Sequence, residues 1–183
     1  MTTWSEFADF LTALDREDRE RFGRYAFLQL PETPDAAREV LQEYSRMNPE
    51  ATPAELLATA VSQASAAGDR EFARDLGPVA LDAAGSDRER QLAHVAIAQA
   101  HFRNRKNPEE MAGFERHCRA AIEAGHAGTF CYERLAALHE YRGELEEVVS
   151  LCARATRVLR EAGDERSAVR FEQRGERVRR KLP

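Results

Sequence analysis

The sequence predicts an all-α fold of about ten helices, on three observations. Alanine supplies 31 of the 183 residues, while isoleucine occurs only at Ile97 and Ile122. Alanine is the strongest helix former and β-branched residues favour strands, so an extensive sheet is excluded. Apolar residues recur at helical spacing along most of the chain, and short Gly-, Asp- or Pro-containing breaks interrupt them at regular intervals. A chain of 183 residues fits one domain, 1–183, and is long enough to bury its own core without disulfides or a structural metal.

Each element has a local reason. Thr3-Trp4-Ser5-Glu6 reads as a capping box, followed by Trp4, Phe7, Leu11 and Leu14 on one helical face over 4–14. A second helix is expected from Arg16 to Leu30, with Phe22, Ala26 and Leu30 inward, stopped by Pro31 and Pro34. Asp35 opens a third, which turns Ala37, Val40, Leu41 and Tyr44 inward and ends before Pro49. Thr52-Pro53-Ala54-Glu55 is a helix start with Thr as cap, Pro first and Glu third. Thereafter the turns are Gly68-Asp69, Gly85-Ser86-Asp87, Gly125 to Gly128, Gly143-Glu144 and Gly163-Asp164, with Asn107-Pro108-Glu109-Glu110 as a further start. Glycine ends one helix and an acidic residue favours the start of the next. Gly77-Pro78 should kink or split the helix that begins near Asp69, because proline cannot donate to the preceding turn. Loops this short force neighbouring helices to lie antiparallel.

The pairs also repeat. Tyr132, Leu135, Ala136, His139, Gly143, Leu145, Val148, Cys152 and Ala155 form a run of bulky, small and turn positions. Its spacing resembles the tetratricopeptide repeat, W-x2-L-G-x2-Y followed by A-x3-F within 34 residues, although the residue types are looser. Leu57, Ala60, Val61, Ala64, Gly68, Ala73, Gly77 and Ala80 hold the same spacing. His94, Ile97, Ala98 and His101 begin another copy, completed by Phe114, Cys118 and Ala121 after about four extra turn residues. The resemblance implies a short right-handed α-solenoid. Its pairs lie near 16–49, 54–87, 91–128 and 129–162, and helices 4–14 and 164–181 cap its ends. The competing architecture is an alanine-rich helical bundle with the same local spacing.

If the first helix of each pair lines a concave face, as the resemblance implies, that face carries Ser62 and Ser65, then Val95, Gln99, Phe102 and Arg103, then Phe130, Glu133, Ala137, Glu140 and Tyr141. Of these, Gln99, Phe102, Arg103, Phe130, Glu133 and Tyr141 are the candidate partner groove: aromatics beside Arg and Glu suit a peptide. The competing reading makes Phe102, Phe130 and Tyr141 packing residues. Some tetratricopeptide proteins clamp a terminal carboxylate with Lys, Asn and Arg; this chain has Val95, Gln99, Glu133 and Ala137 there, so that clamp is not expected.

Charge is distributed unevenly. Residues 1–150 carry 17 basic and 27 acidic side chains, residues 151–183 ten and five. Arg166, Arg170, Arg174, Arg177 and Lys181 recur at near-helical spacing on the last helix, an alternative site for nucleic acid or an acidic partner. The structural explanation is a capping helix whose cations favour its own C-terminus and pair at i,i+4 with Glu165, Glu172 and Glu176. The net charge of −5 argues against a dedicated nucleic-acid binder. The excess of Arg over Lys, 25 to 2, is expected of a GC-rich, bacterial genome and carries no functional weight.

All five His and all three Cys lie between His94 and Cys152, which raises zinc ligation. No ligand pair has zinc spacing, and the repeat register accounts for His94, His101, His139, Cys118 and Cys152 as half-buried rings and small core residues. His117, His126 and Cys131 remain outside it; Cys131 as a nucleophile with His126 or His101 as base lacks any motif to fix its geometry. Glu109-Glu110 and Glu146-Glu147 sit in first helical turns. No phosphate loop, nucleophile elbow or zincin motif occurs, so the expectation is a non-catalytic interaction protein without cofactor or metal. The odd cysteine count, an acidic N-terminus and the absence of a long apolar run predict a cytoplasmic protein with no membrane span.

Overall fold

The computed structural model describes residues 3–182, which form ten helices and, among the described residues, no strand. The helices are α1 (Trp4–Ala13), α2 (Arg16–Tyr25), α3 (Pro34–Met47), α4 (Pro53–Ala67), α5 (Arg70–Ala83), α6 (Asp87–Arg103), α7 (Pro108–Glu123), α8 (Thr129–Arg142), α9 (Leu145–Glu161) and α10 (Glu165–Arg179).

Local chemistry sets most of these boundaries. The Thr3 hydroxyl accepts from the Glu6 amide at 3.2 Å, and the Glu6 carboxylate accepts from the Thr3 amide at 3.1 Å. Thr52 caps α4 by accepting from the Glu55 amide, with Pro53 first in the helix. Ser86 and Glu89 form a second full capping box at α6. Each arrangement satisfies amides that have no partner within their own helix. Gly68 and Gly143 end α4 and α8 at φ 87° and 75°, a conformation that costs other residues a Cβ–carbonyl clash.

Two expectations change. The second helix stops at Tyr25, five residues short of Leu30: Phe27 takes φ 57° and the Leu28 amide donates to the Gly23 carbonyl at 2.8 Å, turning the chain back. Of the kink or split expected at Gly77-Pro78, the split does not occur, since α5 runs unbroken through Pro78. Gly77 has a different purpose: a Cβ there would stand 3.1 Å from Ile97 Cγ1, so its absence lets α5 come close to α6.

Helix contacts follow chain order. Among the described residues, the extensive contacts join helices that are neighbours or next but one, such as α4 with α5 and α6, α6 with α7 and α8, α8 with α9, and α9 with α10, while Arg21 and Tyr25 of α2 also reach Phe72 of α5. At the N-terminal end α3 packs mainly on α1, and α2 on α4, so the segment near 16–49 differs in its contacts from the helices that follow. Arg19, 7% exposed, ties this end together: its guanidinium donates to the carbonyls of Leu11, Thr12, Leu14 and Glu32 at 2.7–3.3 Å. Arg21 links α2 to the α4–α5 turn through two bonds to Asp69, whose carboxyl it holds below the usual range; the Tyr25 hydroxyl donates to the same carboxylate.

Buried apolar side chains form two clusters. One gathers Phe7, Leu11, Phe22, Leu57, Val61 and Ile97, the other Ala98, Phe114, Tyr132, Leu135, Leu159 and Phe171. The boundary falls within α6, which offers Ile97 to one cluster and Ala98 to the next.

Candidate functional site

Alternate helices share one recess. Ser62, Ser65 and Ala66 of α4, Gln99, Phe102 and Arg103 of α6, and Phe130 and Arg134 of α8 line a groove of about 550 Å³, with Arg105 entering from the loop after α6. Residues spaced by three or four on each helix share a face, which is why these side chains meet. Ser62 donates to Gln99 Oε1 at 2.8 Å and joins the first wall to the second. Ser65 is 3% exposed, and its hydroxyl has no hydrogen-bond partner.

Phe102 forms the half-buried floor. Its ring lies 5.1 Å from that of fully buried Phe114 and meets Phe130 edge to face at 6.1 Å. The guanidinium carbons of Arg105 and Arg134 each stand 5.0 Å from the Phe102 centroid, within cation–π range. Phe102 and Phe130 are therefore both packing residues and groove lining, since they rest on the second apolar cluster. Arg103, Arg105 and Arg134 are exposed, and among the described residues none has a carboxylate within 4 Å.

The other candidate residues divide between two places. Glu133 turns from the groove to pair with Arg170, and Glu140 accepts from Arg174 Nε at 2.8 Å. These four groups close the seam between α8 and α10. Tyr141 is 89% exposed and is not part of the groove lining. Of the basic helix, Arg170 and Arg174 are thus engaged with α8, whereas Arg166, Arg177 and Lys181 are exposed and form no ion pair among the described residues. The i,i+4 pairing expected within α10 is replaced by cross-helix pairs, and Glu165 and Glu172 are both taken by Arg160 of α9. A long side chain reaches a neighbouring helix as readily as its own next turn.

Three of the five histidines form a separate feature on α6 and α7. His94 Nδ1 and His117 Nδ1 are 3.0 Å apart, the rings of His101 and His117 stack at 5.5 Å, and His101 Nδ1 meets Glu110 at 2.6 Å. Burial, with the nearby His94, His101 and Arg116, lowers His117 to about 4, so it is neutral at pH 7. Among the described residues no three His, Cys, Asp or Glu groups are arranged to hold a metal ion. Cys131 is fully buried beside Cys118, whose thiol is pushed well above its usual range by that contact and by burial. A nucleophile needs access and a thiolate, and this pair is sealed from solvent.

Periodicity missed Arg134 and Arg105. Arg134 is one turn after Phe130 and was legible from the helical face, whereas Arg105 lies in the irregular loop, where no period applies. No protein-family model matches the chain, and no curated protein or solved structure matches it significantly. Among the described residues no helix is long and apolar enough to cross a membrane.

Proposed function

We propose that the protein is a non-catalytic interaction module, a short right-handed tetratricopeptide-like α-solenoid of antiparallel helix pairs that presents its groove to a peptide or protein partner. The observation that carries this reading is the shared recess of α4, α6 and α8, the first helices of three successive pairs. Extensive contacts between helices near in the chain support a linear array, in which each pair is stabilised by the next. Side chains held by such an array lose little freedom on binding, so affinity is gained by preorganisation. The alternative, an acidic or nucleic-acid partner on α10, has less support, because Arg170 and Arg174 already face Glu133 and Glu140.

The test fills the groove. Ala66 is exposed on its wall, so Ala66→Trp occupies the recess without disturbing either buried cluster. Capture of partner proteins from native lysate should be lost in this variant while the melting temperature stays within a degree or two of the parent. Undiminished capture by a folded Ala66→Trp protein would overturn the reading.

A further inference from the structure

We infer that the groove takes a phosphorylated serine or threonine within an extended segment of a partner protein, its phosphoryl group bound by Arg103, Arg105 and Arg134. The inference rests on the groove reading and names the chemistry of its occupant. Three cations border one recess of about 550 Å³ with no acidic side chain in its lining. This is unusual within the molecule itself: the chain is acidic overall, and in the adjoining recess Arg170 and Arg174 are neutralised by Glu133 and Glu140. Unneutralised like charges around one recess repel each other, and a bound anion relieves that repulsion.

The donors are also preorganised. Arg105 and Arg134 lie over a Phe102 ring that Phe114 fixes from below, so two planar forks are oriented before binding. Three guanidinium groups match a phosphomonoester, which carries about −1.5 to −2 charge and three terminal oxygens, better than a carboxylate with one charge and two oxygens. A nucleic-acid strand fits less well. Phe102 already carries guanidinium groups where a base would stack, and the positive lining is confined to one recess.

The experiment measures retention of degenerate nonapeptide pools on the immobilised full-length protein at fixed ionic strength. The pools carry phosphoserine, glutamate or serine at the centre. The phosphoserine pool should be retained about tenfold better than the glutamate pool, with the serine pool at background. Arg103→Gln and Arg134→Gln should each reduce retention of the phosphoserine pool about tenfold. Arg177→Gln, a change of equal charge on α10, should leave it unchanged. Inorganic phosphate should elute the bound peptides only at concentrations far above theirs. Equal retention of the serine or glutamate pools, elution by phosphate at the peptides' own concentration, or retention of a single-stranded oligonucleotide matching that of the phosphoserine pool would each overturn the inference. So would retention of no pool. In all of these cases lysate capture that remains sensitive to Ala66→Trp leaves the groove reading standing, whereas capture insensitive to that change removes both.

Discussion

Among the histidines, His117 is the one whose ionisation the fold alters most, in the range below neutral pH. It lies against His94 and His101, with Arg116 and the Glu110 carboxylate of the same cluster nearby. Burial is the larger cause of its shift, and the neighbouring rings add to it: a proton on His117 would be poorly solvated and would face other cations. In the unfolded chain the group binds its proton near 6.5, in the folded chain only near 4. Between those values the unfolded state holds more protons, so stability rises with pH. The contribution is complete above about 6.5 and is lost as the pH falls through the window toward 4. His94, lowered by burial, acts in the same direction. Thermal melts should therefore show a lower midpoint at pH 5 than at pH 7, and His117→Gln should flatten that slope. A parent protein whose midpoint does not move between these pH values would contradict the account.

At the scale of the element, the end of α2 shows how tertiary demand overrides helical pattern. Apolar spacing continues to Leu30, yet the chain turns at Phe27, which is 73% exposed with φ 57°. The Leu28 amide returns to Gly23, and a Cβ on Gly23 would stand 2.8 Å from the Leu28 carbonyl oxygen, so glycine is needed inside the helix to accept the returning strand of chain. The left-handed position is where helices commonly carry glycine. Phe27 holds it at a steric cost and with little burial in return. Phe27→Gly should therefore raise stability by about 0.5–1 kcal/mol in urea titration, relief of the Cβ clash exceeding the entropy glycine adds to the unfolded chain. A loss of stability would mean that the exposed ring contributes more than its surroundings suggest. In α5, by contrast, Gly77 and Pro78 lie within an unbroken helix, and the missing Cβ of Gly77 leaves room for Ile97 of α6.

Across the whole molecule, two apolar clusters meet within α6. Leu57 is fully buried in one and Leu159 in the other. Each Leu→Ala change should cost about 2–5 kcal/mol by creating a cavity, and the double variant should lose the sum to within about 0.5 kcal/mol, because distant sites with no shared partner add. Denaturant titration of the four proteins checks this. A clear departure from additivity would indicate one continuous core. The same scale explains which parts of the groove were legible. Gln99, Phe102, Arg103 and Phe130 meet because each lies on the expected face of its helix. Glu133 lies on such a face too, but Arg170 of α10 draws it into another seam. Arg19 gave no sign of burial, since its partners are carbonyls at the ends of other segments, and any residue type supplies a carbonyl.

Helix number, most helix starts and the all-α class were readable from composition and spacing, because capping and periodicity act over three or four residues and need no distant partner. Charge pairing across helices, the early end of α2, the burial of Arg19 and the convergence of Arg105 and Arg134 on Phe102 depend on residues far apart in the chain. They arise when helices dock, as long side chains choose among several neighbours by geometry and desolvation, which order along the chain does not encode.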